Sequence, residues 1–246
     1  MDFTNTTLVA DTTFMELNFA KYLSAFPYAG YEAAAEAAET LMKQAEATPQ
    51  AYRQVMAVAE RFLTSPNSTM RDEEIYYLFL QAIDKSTYLD NTRKTRVKAQ
   101  IADVLKNRAG TAAADFDIID TEGNRTTLYK EADPQQIRLI IFYDPDCNHC
   151  KEIIDELRQL PQLNDAIATG GLKVMAVYPD GDINMWERAR DEIPAEWFNG
   201  YSPNGAITEN ELYTLPAMPV FYVIAPDNTI LLKDPSLPLL ADWLAN

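Results

Sequence analysis

The chain has 246 residues, of which 47% are apolar, and its formal net charge at pH 7 is −16. This length suits two domains with ordinary hydrophobic cores, and the negative charge disfavours binding to the phosphate backbones of nucleic acids. The sequence has no apolar run of about 18 residues, so it predicts no membrane-spanning helix.

The acidic residues are concentrated in the second half of the chain. Residues 1–112 contain 12 basic and 14 acidic residues, whereas residues 113–246 contain 9 and 23. The segment from Met1 to Thr6 has neither the basic nor the apolar region of a signal peptide. We therefore expect either a cytosolic protein or a mature chain with an added start Met.

The first part of the chain predicts helices, because helix-forming residues dominate and apolar residues recur every three or four positions. A break is expected at residues 65–68, and the small residues 110–114 predict a domain boundary. We expect an all-helical domain over 1–110. Its predicted helices are 13–26, 31–47, 49–64, 70–85 and 91–108.

The pattern changes to strands after residue 110, so we expect a second domain over 111–246. The near-continuous apolar runs 137–143 and 172–178 predict buried strands, which should be parallel because a helix over 148–160 joins them. The order predicts an α/β fold, a mixed sheet with helices on both faces. Its other predicted elements are a hairpin over 116–128, a hairpin over 220–233, and helices over 182–192 and 236–245.

The only two cysteines, Cys147 and Cys150, form a C-x-x-C motif where the first buried strand ends and a helix begins. Unpaired N–H groups and the helix dipole favour a thiolate at such a position. Cys147 would attack a disulfide and Cys150 would resolve the mixed disulfide. The only histidine, His149, lies between them, where its positive charge would favour the thiolate further.

Two structural alternatives to a redox pair remain open. A C-x-x-C motif can form half of a zinc site, but the chain has no other Cys or His beyond His149 to complete four ligands. The cysteines could also form an inert disulfide. We expect neither a metal nor an organic cofactor.

The order of strand, C-x-x-C and helix resembles thioredoxin. In that family a cis-proline opens a later strand and faces the active cysteines, and Pro219 matches it, preceded by Met218. The segment 114–124 resembles the N-terminal hairpin of the envelope reductase and peroxiredoxin-like branch. The resemblance implies that Met218 and Pro219 bind the substrate chain beside the sulfurs.

The first half resembles a helical domain of unassigned function that precedes thioredoxin-like domains in exported proteins of Gram-negative bacteria. The resemblance rests on residues 66–76 and 106–116. It implies a location in the periplasm or cell envelope, with the native export signal absent from this chain. The two resemblances together cover most of the chain.

Three departures from the family pattern concern proton transfer and the motif itself. Asp146 stands where thioredoxins usually have Trp, and Ile141 stands where they have a buried acid. The Glu that envelope reductases often carry three residues after the second cysteine is Ile153 here, with Glu152 one step earlier. Glu152 could transfer protons, although a Glu in a first helical turn usually only complements the dipole.

The sequence as a whole predicts a thiol–disulfide oxidoreductase that acts on protein disulfides. Its partners would be client proteins with thiols or disulfides and an upstream redox protein. The main alternative is a binding or assembly module that uses the fold as a scaffold without redox turnover. A peroxide-reducing enzyme is disfavoured, because the Pro and Thr that usually precede its reactive cysteine are missing before Cys147.

Overall fold

A computed structural model describes residues 2–65 and 68–245, which form two compact units that divide between Leu105 and Lys106. Of the predicted break at 65–68, Ser65 and Ser68 lie between two helices, and residues 66 and 67 lie outside the described residues. In the described part of the chain, no helix has both the length and the apolar character needed to cross a membrane.

The first unit is helical, as predicted. The side chains of Thr48 and Asp72 cap the helices that follow them by accepting N–H hydrogen bonds. The helices are α1 (Thr6–Ala10), α2 (Thr12–Leu23), α3 (Tyr31–Ala45), α4 (Pro49–Thr64), α5 (Glu73–Lys85) and α6 (Asn91–Leu105). Helix α5 contacts α3, α4 and α6, and its apolar residues, including Leu78 and Phe79, are buried among them.

The second unit contains a mixed sheet, whose order within the described residues is β2-β1-β5-β4-β3-β6-β7. The strands are β1 (Asp117–Asp120), β2 (Arg125–Thr127), β3 (Ile137–Phe142), β4 (Leu172–Tyr178), β5 (Phe198–Tyr201), β6 (Val220–Ile224) and β7 (Ile230–Lys233). Strands β3 and β4 are parallel, and both predicted hairpins are antiparallel, so these pairings are confirmed.

Strand β5 was not predicted from the sequence. It has only four residues, and its Asn199 and Gly200 belong to types that are depleted in strands. It pairs parallel to β4 and antiparallel to β1. A Cβ atom at Gly200 would lie 2.5 Å from Cγ2 of Ile118 and 2.8 Å from the carbonyl oxygen of Ile119, so the close packing of β1 requires glycine there.

Helices and loop segments cover the two faces of the sheet. Side chains of β3 alternate, with Leu139 and Ile141 in one core and Ile140 and Phe142 in the other. The first core is covered mainly by longer helices, and the second by one-turn α10 and loop residues such as Tyr213. The helices of this unit are α7 (Asn148–Arg158), α8 (Pro161–Ala168), α9 (Ile183–Ala189), α10 (Ala206–Glu209) and α11 (Leu237–Leu244).

The start of the second unit is fixed by Asn107. Its side-chain amide donates a hydrogen bond to the carbonyl oxygen of Leu212 at 2.6 Å and accepts one from the N–H of Ala114 at 2.8 Å. Asn107 is 8% exposed, so both bonds are protected from water. They attach the segment before β1 to the rest of this unit.

Candidate active site

Cys147 occupies the junction between the end of β3 and the start of α7. It is the N-cap residue of α7, and its Sγ accepts a hydrogen bond from the backbone N–H of Cys150 at 3.3 Å. Cys147 is half-buried and Cys150 is fully buried, and both are free thiols. The structure therefore places the Cys147 sulfur closer to the surface than the Cys150 sulfur.

The environment of Cys150 keeps its thiol protonated. Burial raises the pKa of Cys150 to about 12, the neighbouring Cys147 adds to this effect, and a hydrogen bond from the Asp144 backbone opposes it. A buried thiol of this kind cannot attack until it is exposed or deprotonated. The two sulfurs thus differ strongly in accessibility, although they are separated by less than one helical turn.

Met218 is the residue from the distant loop that the structure brings to the cysteine pair. The Sγ atom of Cys147 lies 3.9 Å from the carbonyl oxygen of Met218. The Met218–Pro219 peptide bond is cis, and Pro219 immediately precedes β6, which pairs with β3. Cys147 and the residue pair at 218–219 therefore lie at the same edge of the sheet.

His149 lies on the outer surface of α7. Its side chain is 65% exposed, and its Nδ1 atom is 3.8 Å from a carboxylate oxygen of Glu152. Solvent and this carboxylate both screen a positive charge on the ring. Glu152 itself is 74% exposed and faces His149.

Carboxylates make the potential negative at the ends of β3 and β4. Burial, followed by the charges of Asp180 and Asp144 and then of Asp182 and Asp146, raises the pKa of Tyr178 to about 12. Tyr178 is the last residue of β4, beside the end of β3 that leads to Cys147. These charges disfavour a nearby thiolate and thus oppose the α7 N-terminus.

Sequence reasoning missed a buried hydrogen-bond network beneath the motif. The Oδ1 atom of Asn199 accepts bonds from the Tyr143 hydroxyl at 3.2 Å and from the Trp186 indole N–H at 3.1 Å, and its amide donates to the Arg190 carbonyl at 2.9 Å. These bonds connect the end of β3 to β5 and α9. No local pattern marks Asn199, because its partners are distant in sequence.

A cavity of about 310 Å³ behind the motif was also missed. Cys150 and Tyr143 contribute to its wall, together with the charged side chains of Lys151 and Glu192. The Nζ atom of Lys151 lies 2.9 Å from a carboxylate oxygen of Glu192. This cavity therefore places polar and apolar residues near Cys150, on the side of α7 that faces residues 189–193.

In the described part of the chain, no three or more His, Cys, Asp and Glu side chains are grouped so that they could hold a metal ion. The arrangement offers two thiols of unequal exposure beside a backbone carbonyl at a sheet edge. Chemically, it can form a mixed disulfide at Cys147 and resolve it through Cys150.

Comparisons with known proteins extend over the whole chain. A family model described as a domain of unknown function (DUF5106) matches residues 1–107. The chain is similar to a thioredoxin-like protein from Bacteroides caccae, at 29% identity and a TM-score of 0.92, covering 100% of this chain and 88% of that one. This match confirms the predicted fold class.

Other solved structures match a little more than half of the chain. A C-terminal domain of an uncharacterized protein from Bacteroides fragilis is 35% identical, with a TM-score of 0.55, covering 57% of this chain and 99% of that one. The thioredoxin domain of a thiol-disulfide oxidoreductase from Bacteroides vulgatus is 20% identical, with a TM-score of 0.47, covering 56% and 95%. No curated protein matches the chain.

Proposed function

We propose that this chain, which is similar to a thioredoxin-like protein over its whole length and matches the DUF5106 model over residues 1–107, is a thiol–disulfide oxidoreductase acting on protein disulfides. The observation that supports this most is the unequal pair at the start of α7, with Cys147 half-buried and Cys150 buried. An attacking thiol must reach its substrate, whereas a resolving thiol must reach only the first sulfur.

The proposed reaction has two exchange steps. The Cys147 thiolate attacks one sulfur of a client disulfide, a mixed disulfide forms, and one client sulfur leaves as a thiolate. Cys150 then loses its proton and attacks the Cys147 sulfur, which releases the second client thiolate. The client is reduced, the pair is oxidised, and an upstream redox protein would return two electrons. Run in reverse, the same steps oxidise or rearrange client thiols.

Met218, Pro219 and His149 have supporting roles in this proposal. The carbonyl oxygen of Met218, 3.9 Å from the Cys147 sulfur, lies where an extended client strand could pair with the backbone. The side chain of Met218 would add a soft apolar contact. His149 would tune the pair electrostatically from the surface of α7.

The two parts of the chain have different roles in this proposal, and the protein has a proposed cellular location. Residues 111–246 would carry the redox chemistry, and residues 1–110 would form a separate helical domain. The resemblance of the helical part to domains of exported proteins supports a place in the periplasm or cell envelope.

Trapping tests the redox assignment. Cys150→Ala should accumulate mixed disulfides with a disulfide-containing client such as insulin, because the resolving sulfur is missing. Cys147→Ala should accumulate none and serves as the matched control. If neither variant traps a client and the wild-type chain does not reduce insulin, the alternative of a binding module without redox turnover replaces this proposal.

A further inference from the structure

The helical unit has a groove between α4 and α6, with a volume of about 280 Å³. Both helices contribute residues at intervals of three or four, so each presents one continuous face to the groove. These residues include Arg53, Met56 and Glu60 on α4 and Arg93, Val97 and Gln100 on α6.

The floor of this groove is apolar. Met56 and Val97 come from the two helices, and Leu89 comes from the loop before α6. Leu89 is 8% exposed and Val97 is 2% exposed, so the floor is continuous with the core of the helical unit. The volume of about 280 Å³ is just below the usual range for ligand pockets, so the groove suits a single apolar side chain.

Three arginines surround this floor. The side chain of Arg53 makes no ion pair or hydrogen bond with any of the described residues. Arg93 approaches Asp90 only to 3.8 Å, and the two side chains are 59% and 63% exposed. An exposed pair of this length contributes little, so the guanidinium groups of Arg53 and Arg93 are available to another anion.

The lining carboxylate, Glu60, is already engaged by its neighbours. Its Oε1 atom lies 3.5 Å from Nη2 of Arg96 and accepts a hydrogen bond from the Gln100 side chain at 3.2 Å. The same amide donates to the Tyr76 hydroxyl at 3.1 Å, which ties α4, α5 and α6 together. Glu60 therefore balances Arg96 and leaves the other two arginines to set the charge of the groove.

The surface of α6 differs in charge from the rest of the protein. It carries Arg93, Lys94, Arg96 and Lys98 against the single acidic residue Asp103, in a chain whose net charge is −16. A basic face on an acidic protein attracts anionic partners and orients them towards this side of the helical unit.

We propose that the α4–α6 groove binds an acidic peptide segment, with one apolar side chain on the floor and carboxylates on Arg53 and Arg93. Guanidinium groups match carboxylates in a bidentate geometry, and an apolar anchor between charged contacts is a common mode of peptide recognition. Nucleic acid fits poorly, because no aromatic ring among the lining residues offers a base a stacking surface. A flat membrane would reach the arginines without filling the floor.

Fluorescence anisotropy of the full chain tests this site with a labelled peptide, Gly-Glu-Asp-Leu-Glu-Asp-Gly. We expect saturable binding that weakens with added salt. Arg53→Gln and Arg93→Gln should each raise the dissociation constant about threefold to fivefold. Replacing the peptide leucine by serine should raise it about tenfold. Lys21→Gln removes the same charge from α2, outside the groove, and should leave binding unchanged.

Several results would overturn the site. One is the absence of peptide binding at millimolar concentration, and another is equal affinity for the leucine and serine peptides. A third is an equal loss of affinity in Lys21→Gln and Arg53→Gln. Binding to phosphatidylglycerol vesicles that depends on the arginines, without peptide binding, would assign the surface to membranes instead. Insulin reduction by the same variants reports the redox function separately, so the two proposals can fail independently.

Discussion

The buried thiol of Cys150 should be alkylated far more slowly in the folded protein than in the unfolded chain. The perturbation is Cys147→Ser, which leaves Cys150 as the single thiol. Burial is the largest of the causes that raise the pKa of Cys150 to about 12, and it persists in this variant, whereas the contributions of Cys147 are lost. At pH 8, a pKa of about 12 leaves about one thiolate in 10⁴, against about one in four for an ordinary cysteine. The thiolate fraction alone predicts a rate difference of about 10³-fold.

Mass spectrometry of the iodoacetamide reaction measures this difference directly. The Cys147→Ser protein is labelled at pH 8 with and without concentrated guanidinium chloride, and the folded rate should be about 10³-fold lower. That rate should rise about tenfold for each pH unit up to about pH 10, because only the thiolate reacts. Cys150→Ser is the matched control, whose half-buried Cys147 should show a much smaller difference. Comparable folded and unfolded rates for Cys150 would refute the reasoning from burial.

Three further substitutions test other parts of the second unit. Asn199→Leu leaves the buried hydroxyl and indole N–H that donate to it without an acceptor, so chemical denaturation should show a loss of about 2–4 kcal/mol in unfolding free energy. His149→Ala should lower the reduction potential, measured against glutathione, by at most about 30 mV, because a positive ring beside the pair would favour the thiolate. An unchanged potential would mean that His149 does not tune the pair. Asn107→Ala removes two protected hydrogen bonds, so calorimetry should show that the unfolding free energy of the thioredoxin-like unit alone falls by about 2 kcal/mol. An equal fall for the helical unit would contradict the inference that Asn107 stabilises only the second unit.

The motif and its strand were predictable because local sequence encodes them. The apolar run that begins at Ile137 requires a buried strand, and the residues after Cys150 have the period of an amphipathic helix. A junction of this kind can have only a few geometries, so the cap role of Cys147 follows closely from the pattern. Pro219 was identified through the family resemblance, since nothing in the local sequence joins it to the cysteines.

The network around Asn199 and the cavity wall at Glu192 were not predictable in this way. Asn199 lies 56 residues from the hydroxyl of Tyr143 that donates to it. Its strand is short and contains a glycine that only the closeness of Ile118 explains. Such residues are selected by tertiary contacts, and their types alone would place them in a loop.

Arg138 shows why the pattern of apolar residues can locate a strand and still miss what stabilises it. It lies within a run that the sequence marks as buried, and it is fully buried. Its guanidinium donates hydrogen bonds to the carbonyl oxygens of Leu128 and Ala225, at 2.7 and 3.0 Å, and to Oδ1 of Asn228 at 2.8 Å. Burial lowers the pKa of Arg138. The three acceptors replace water around its Nη atoms, whereas its buried Nε has no hydrogen-bond partner among the described residues. Because two of the acceptors belong to the turn between β6 and β7, this cation joins the central strand to the hairpin that Pro219 precedes.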